Sequence, residues 1–225
     1  MSHTNSYPNL FSSVADLTAG IVPPGDCGLA PSPLLPVESD LQGWNSDHHI
    51  FDDLVRDVQP KNVIEVGSWK GASALHLAKA TESLGSDIYC VDTWLGGFDH
   101  AISKLPQDDR KLDQFGSPRL YEQFLRNFLG TEYAKRIYPI RNSSANGARI
   151  LRHHGVSADL IYIDGSHEYE DVYADLLAYV PLLTEEGVMF GDDFRSAGVF
   201  AAVIRFAHEH NCRLQEIDHN FWILK

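Results

Sequence analysis

The stretch NVIEVGSWKGASALHLAKATESLGSDIYCVD, residues 62–92, contains the pattern that decides the fold. Its apolar run NVIEV ends at Gly67 and predicts a buried strand, and GASALHLAKATESL predicts a helix. The apolar run DIYCVD predicts a second strand that ends on Asp92. A strand, a glycine turn, a helix and another strand form the repeating unit of a parallel sheet.

The same alternation of strands and helices surrounds this stretch. HIFDDLVRDVQP (49–60) precedes it as a predicted helix. The later predicted strands are RIYPIR, DLIYID, GVMFGD, CRLQEID and NFWILK, and the later predicted helices are RLYEQFLRNFL, ANGARILRHH, YEDVYADLLAYV and AGVFAAVIRFAHEH. Strands that alternate with helices predict a doubly wound α/β fold.

Composition excludes several classes of protein. The 225 residues suit one domain, and the formal net charge of −13 argues against a nucleic-acid partner. No apolar run is long enough to span a membrane, and the N-terminus lacks the pattern of a signal peptide, so a cytoplasmic protein without a membrane partner is expected. Three scattered cysteines, Cys27, Cys90 and Cys212, do not form a disulfide framework or a metal motif.

Two segments depart from the regular alternation. Residues 1–47 are rich in proline and are predicted to be irregular, ahead of one domain at 48–225. The insertion at 94–130 follows the end of a strand, where such sheets bind ligands, and is interpreted as a lid or substrate-shaping segment; a plain surface excursion is the alternative. Trp44, His48 and His49 could close over a ligand or lie on the surface.

The turn VIEVGSWKGAS has the spacing G-x-x-x-G between Gly67 and Gly71. Glycines there allow the backbone to approach a ligand. The spacing differs from G-x-G-x-x-G, and Trp69 would crowd a pyrophosphate, which disfavours a dinucleotide. Glu65 is a buried acid that needs a partner, and Asp92 is placed to accept from ribose hydroxyls. The pattern indicates a binding site for a ligand that contains a nucleoside.

Three acids end two later strands. Asp164 ends DLIYID, and Asp192 ends GVMFGD, followed directly by Asp193. A crossover helix separates the two strands, which are therefore expected to be neighbours. Three converging carboxylates predict a hard divalent cation such as Mg²⁺, with acids that cap helices and face water as the alternative. His167, three residues after Asp164, is a candidate general base, although a cap or a surface role would also fit.

Together VIEVGSWKGAS, CVD, RNSS, YIDGSH and GDD resemble the metal-dependent branch of the class I S-adenosylmethionine methyltransferases, over roughly residues 60–225. The similarity includes catechol O-methyltransferase and is closer to the O-methyltransferases that act on macrolide and other natural-product sugars. It implies a Rossmann-like, mostly parallel sheet of seven strands with an antiparallel last strand. It also implies a small-molecule hydroxyl acceptor, for which a vicinal diol is expected, and the chain could form a homo-oligomer.

The resemblance also assigns the candidate residues. Asp164, Asp192 and Asp193 would hold Mg²⁺ or another divalent cation, and His167 with Asp164 would be catalytic. His167 stands where the catechol enzymes have a lysine and the sugar enzymes a histidine, which favours an aliphatic hydroxyl. The implied contacts to S-adenosylmethionine are Glu65, Gly67, Ser68, Trp69, Gly71, Ser73, Asp92, Thr93, Trp94, Ser143 and Asp164.

Two other functions stay open at this point. A metal-dependent hydrolase could use the aspartates and His167 to activate water, but it gives Glu65, Gly67 and Asp92 no shared task. A nucleoside-binding module without catalysis leaves the acid cluster unexplained. The first candidates for the acceptor pocket are Phe98, His100, Tyr121 and Phe124.

Overall fold

A computed structural model describes residues 39–98, 112–113 and 115–225 of the chain. Most of the proline-rich segment, Cys27, His100 and residues 99–111 of the insertion lie outside this range. The strands are β1 (Asn62–Val66), β2 (Asp87–Asp92), β3 (Ile137–Arg141), β4 (Ala158–Ile163), β5 (Leu183–Gly191), β6 (Leu214–Ile217) and β7 (Phe221–Leu224).

The α-helices of the described residues are α1 (His49–Val58), α2 (Ala72–Ala80), α3 (Leu120–Leu129), α4 (Ser144–His153), α5 (Tyr169–Tyr179) and α6 (Ala197–His210). Short 3-10 turns lie at Glu82–Leu84, Glu132–Lys135 and Val180–Leu182. Of the described residues, no helix is both long and apolar enough to cross a membrane.

The described strands form one sheet in the order β3-β2-β1-β4-β5-β7-β6. All pairings from β3 to β5 are parallel, whereas β7 runs antiparallel to both β5 and β6. This topology confirms the predicted doubly wound fold with an antiparallel last strand. The strand order reverses between the neighbouring strands β1 and β4, and ligands bind at such a switch point outside the carboxyl ends of the strands.

The core covers both faces of the sheet, because each face carries its own layer of helices. Buried side chains of α1, α2 and α3 pack on one face, and those of α4, α5 and α6 pack on the other. The central strands are therefore buried on both sides, which explains why their sequences are mostly apolar on both faces.

The predicted elements are confirmed with shifts at their ends. The helix predicted over GASALHLAKATESL ends at Ala80 and continues only as a 3-10 turn, and β5 begins at Leu183 rather than at Gly187. Within the insertion, α3 is a core helix, since Leu120, Phe124 and Phe128 are buried. A lid role can therefore apply only to the part of the insertion before α3.

Candidate active site

The turn after β1 requires glycine at its first position. Gly67 has a φ of +92°, and an added Cβ would overlap the backbone carbonyl of Asp164, so no other residue fits without moving β4. Gly71 has a φ of +85° and precedes α2, and a Cβ there would lie 2.9 Å from the Phe124 ring. The turn thus brings the backbone of β1 directly beside the end of β4.

Asp92, at the end of β2, holds this turn in place. One oxygen, Oδ2, accepts from the Trp69 N–H at 2.9 Å, and Oδ1 accepts from the Trp94 N–H at 2.7 Å. Burial raises the pKa of this carboxyl. Asp92 therefore has a structural task beside its predicted role towards a ribose.

Trp94 is directed into the core instead of towards a ligand. Its indole is fully buried, packs against the Tyr121 and Phe124 rings with centroids 4.8 and 4.7 Å away, and donates to the Trp69 carbonyl at 2.7 Å. The same contacts keep Phe124 in the core. Neither side chain lines the cavity described next, in contrast to Phe98, which does.

A cavity of about 790 Å³ opens at the carboxyl edge of the sheet. This volume suits a ligand the size of a nucleoside with a small acceptor. The predicted residues that line it are Gly67, Trp69, Asp92, Thr93, Ser143, Asp164, His167, Asp192 and Asp193. Glu65, Ser68, Gly71, Ser73 and Trp94 lie behind this lining, so the structure brings together most but not all of the predicted site residues.

Glu65 lies on β1 beneath the glycine turn and is fully buried. Ser73 donates from Oγ to Glu65 Oε1 at 2.5 Å. This hydrogen bond provides one of the partners that a buried acid was expected to need. The second oxygen, Oε2, has no hydrogen-bond partner among the described residues, and burial raises the pKa of the carboxyl. An unpaired buried acceptor next to the glycine turn suits a donor that comes with a ligand.

Asp164 and Asp192 face the cavity from the neighbouring strands β4 and β5. Burial raises the pKa of Asp164 well above its ordinary value, and the charges of Asp192 and Asp193 raise it further. The Tyr162 hydroxyl donates to Asp164 Oδ2 at 2.9 Å. The sequence pattern does not mark this tyrosine, because it lies within the apolar run of a buried strand.

Asp192 is held by amide groups from two distant segments. Asn45 donates to Oδ2 at 3.3 Å, and Asn220, beside β7, donates to Oδ1. Burial also raises the pKa of Asp192. Neither asparagine could be predicted as a partner of Asp192 from the sequence. Asn45, for example, is 147 residues away from Asp192 along the chain, and no periodic pattern links it to β5.

His167 and Asp193 form a direct pair. His167 Nε2 lies 2.8 Å from Asp193 Oδ2, and both side chains are almost half exposed. The backbone of Asp193 is left-handed, with a φ of +57°. Gly198 at the start of α6 packs against the His167 carbonyl so closely that a Cβ would overlap it. The loop that carries the histidine is therefore fixed by tight packing.

The three predicted metal ligands share the cavity without forming a compact cluster. Of the described residues, only His48, His49 and Asp218 have three possible ligand atoms within 4.8 Å of one another. His48 Nδ1 accepts from the Ile50 N–H at 3.2 Å and caps α1, so a neutral His48 carries its proton on Nε2, 3.2 Å from Asp218. This cap and the contacts of both histidines with Asp218 account for the positions of the three side chains.

The segment before α1 completes the cavity wall. Trp44 lines the cavity beside Asn45, and its ring centroid lies 6.2 Å from that of Trp69. The buried Lys70 anchors the segment, since its Nζ lies 2.7 Å from Asp40 Oδ2 and 2.6 Å from Gln42 Oε1. Of the three residues that the sequence analysis considered for closing over a ligand, Trp44 lines the cavity, whereas His48 and His49 do not. The anchoring by Lys70 was not predicted, because it depends on side-chain contacts across the fold.

Sequence comparison gives a family match over most of the core. A family described as a methyltransferase domain matches residues 64–194. An uncharacterized protein of Sinorhizobium fredii, y4gI, is 25% identical over 151 residues, which are 62% of this chain and 14% of that protein. The chain thus spans only a small part of the length of this relative.

Solved structures share the fold at low sequence identity. CalS11, the TDP-rhamnose 3'-O-methyltransferase of calicheamicin biosynthesis, is 20% identical with a TM-score of 0.58, and the match covers 80% of this chain and 79% of that chain. The O-methyltransferase TomG from Streptomyces achromogenes, solved with S-adenosylmethionine, is 12% identical with a TM-score of 0.57, covering 82% and 81%. At these identities the solved structures show a shared fold, which agrees with the sheet predicted from the motifs.

Proposed function

Because the chain belongs to the methyltransferase-domain family, we propose that it transfers a methyl group from S-adenosylmethionine to a hydroxyl of a small molecule, with Mg²⁺ as the metal. One observation carries the proposal. The glycine turn, Asp92, the acids Asp164 and Asp192, and the pair His167–Asp193 all border a single cavity. A cofactor, a cation and a base can therefore act on one acceptor.

The cofactor half of the cavity has the polar groups that a nucleoside sulfonium needs. Gly67 allows close approach, and Asp92 keeps a carboxylate at the cavity wall next to the end of β2. Glu65, with its unpaired Oε2, lies behind the turn and suits a donor at the amino-acid end of the cofactor, directly or through a water. Bound there, the cofactor would supply the methyl group.

The part of the cavity that is lined by Asp164, Asp192 and Asp193, the acid half, fits a divalent cation. Asp164, Asp192 and Asp193 offer only oxygen ligands, which Mg²⁺ prefers, and the repulsion that raises the pKa of Asp164 would be relieved by a positive charge. When bound, the ion would lower the pKa of an acceptor hydroxyl. The Asn45 and Asn220 amides orient Asp192 within this half.

His167 is the proposed base. With Nε2–H donating to Asp193, a neutral imidazole has Nδ1 as its basic nitrogen, and a hydroxyl proton would move there as the oxygen takes the methyl group. Asp193 would orient the ring and stabilise the imidazolium that forms. The cavity walls position the reacting atoms and exclude bulk water.

The acceptor end of the cavity is bordered by exposed aromatic side chains. Trp44 and Phe98 are more than half exposed, and both line the cavity, as does the partly buried Trp69. Flat apolar faces beside a cluster of acids suit a sugar or another natural product that carries a diol. CalS11, whose fold this chain shares, is a sugar O-methyltransferase.

Calorimetry and a methylation assay test the proposal. S-adenosylhomocysteine should bind, and labelled S-adenosylmethionine should methylate members of a panel of glycosides and catechols in a Mg²⁺-dependent reaction. His167→Ala should leave cofactor binding intact and lower turnover about 10²–10⁴-fold, whereas His208→Ala, at an exposed position of α6, should not change it.

Three outcomes would contradict parts of the proposal. Failure of S-adenosylhomocysteine to bind, with or without Mg²⁺, would remove the methyltransferase assignment. Binding without methylation of any hydroxyl would favour a nucleoside-binding module. Unchanged Mg²⁺-dependent methylation after Asp164→Asn and Asp192→Asn would remove the metal assignment.

A further inference from the structure

A buried acid on α5, Asp175, borders the cavity on the side away from the acid cluster. Its side chain is only 8% exposed, yet it lines the cavity together with Ser143 and Ser144 at the start of α4. Ser144 donates from Oγ to Asp175 Oδ1, and the Tyr179 hydroxyl donates to the Ser144 carbonyl at 2.9 Å. These contacts fix the position of the carboxylate against the cavity wall.

The second carboxylate oxygen of Asp175, Oδ2, is available to a ligand. Among the described residues, Oδ2 makes no hydrogen bond, and it lies 3.6 Å from the position that a Cβ on Gly165 would take. Gly165 itself lines the cavity just after the end of β4, so this oxygen lies at the cavity wall beside the end of β4. A carboxylate oxygen there can accept a hydrogen bond from a ligand but cannot donate one.

Capping of α4 does not account for this acid. The N-terminus of α4 is already capped by Ser143, whose Oγ accepts from the Asn146 N–H. Burial raises the pKa of Asp175 to about 6, so the ionised form is retained near neutral pH at a cost in stability. A neutral asparagine would accept from Ser144 equally well. The charge at this position therefore calls for a partner in the cavity.

We propose that Asp175 Oδ2 accepts a hydrogen bond from the 6-amino group of the cofactor's adenine and selects 6-amino over 6-oxo purines. This assignment rests on the proposed function, which places the nucleoside in the cavity. Glu65 is assigned there to the amino-acid end of the cofactor and Asp92 to its ribose, which leaves the base for the cavity wall formed by Asp175 and Ser143. The amino group is a donor, whereas a 6-oxo group would set one acceptor against another in a site of low dielectric. Asp175 is then a specificity-determining residue, away from the reacting atoms.

Calorimetry with a matched pair of ligands tests the inference. S-adenosylhomocysteine and its deaminated analogue, S-inosylhomocysteine, differ mainly at position 6 of the purine. The wild-type protein should bind the amino compound about 10²-fold more tightly, because the wrong ligand leaves a charged acceptor unpaired. Asp175→Asn should reduce this ratio to less than about 5-fold, since an amide can turn either its acceptor or its donor to the ligand.

Asp171→Asn is the matched control. It removes the same charge one helical turn earlier, where the exposed Asp171 accepts from Ser166 at 2.9 Å and also borders the cavity. For this variant, the ratio of the affinities for S-adenosylhomocysteine and S-inosylhomocysteine should stay at the wild-type value. Equal affinity of the wild-type protein for the two ligands would overturn the inference, and this measurement does not depend on the folding of any variant.

The outcomes separate the inference from the function on which it rests. If neither ligand binds the wild-type protein, the proposed function itself fails, and the inference fails with it. If S-adenosylhomocysteine binds and Asp175→Asn keeps the full preference, the function stands and Asp175 has only a structural role. An equal fall in preference in Asp171→Asn would assign the effect to general charge and would also overturn the inference.

Discussion

Asp175→Asn should change the stability of the ligand-free protein in a way that depends on pH. Burial is the main cause that raises the pKa of this carboxyl from 3.8 to about 6, and the charge of Asp171 adds to it. The asparagine variant keeps the acceptor for Ser144 and removes the ionisable group. The comparison therefore isolates the free energy of holding a charge at this buried position.

The direction of the effect follows from proton binding. Between pH 3.8 and about 6 the folded protein binds a proton at Asp175 that the unfolded chain has already released. The wild-type protein therefore loses stability as the pH rises through this window, by about 3 kcal/mol in total. Between pH 4.5 and 7.5 the loss is about 2 kcal/mol, and the asparagine variant should not share it.

Urea unfolding followed by tryptophan fluorescence measures the effect at these two pH values. The free energy of unfolding of the variant, minus that of the wild type, should increase by about 2 kcal/mol from pH 4.5 to pH 7.5. Asp171→Asn, at an exposed position of the same helix, should differ from wild type by no more than about 0.5 kcal/mol. A difference for Asp175→Asn that is the same at both pH values would refute the reasoning.

Three other substitutions test how the site is built. Gly67→Ala should lower the free energy of unfolding in urea by more than about 2 kcal/mol, because the added Cβ would overlap the backbone at the end of β4. Gly85→Ala is the control: Gly85 also has a positive φ but has open space around it, so the substitution should cost about 1 kcal/mol. Lys70→Met should lower the free energy of unfolding by about 2 kcal/mol, since it removes the buried ammonium that binds Asp40 and Gln42. Tyr162→Phe should weaken Mg²⁺ binding about tenfold in calorimetry and leave binding of S-adenosylhomocysteine without metal unchanged, because the lost hydroxyl orients Asp164.

The sheet and the acids at its edge could be predicted because both follow from local sequence. Strands β1, β2 and β4 are short apolar runs that end on a glycine or an acid, and parallel strands bring those ends to one edge. The pairing of β4 with β5 confirms that Asp164 and Asp192 are neighbours. None of this required knowledge of contacts between distant segments.

The direction of individual side chains could not be predicted in the same way. Trp94 follows a strand end in sequence, but a left-handed backbone with a φ of +52° turns its indole into the core. Asp193 has a similar backbone, which turns its carboxylate towards His167. One residue in this conformation redirects a side chain, and the sequence pattern around either position does not require it.

The sequence contains a signal that marks Asp175 as a candidate for function. On α5, Val172, Leu176 and Tyr179 form the buried face, and Asp175 falls on that face at helical spacing. An acid on the apolar side of an amphipathic helix is costly unless it has a partner, so its position alone marks it as a candidate. The prediction of a helix here was confirmed, and the helical spacing of its buried residues places Asp175 among them.

The acids at the sheet edge suggest why the site should bind positively charged or donor-rich ligands. Burial raises the pKa of Glu65, Asp92, Asp164, Asp175 and Asp192, so each carboxyl is less favourable as an anion in the folded protein than in the unfolded chain. A hydrophobic or amide side chain at any of these positions would avoid that cost. Retaining five acids around one cavity is reasonable if a sulfonium, a divalent cation and an amino group relieve them on binding. The ligands would then add stability to the folded state by mass action, about 2.7 kcal/mol at a concentration of 100 times the Kd.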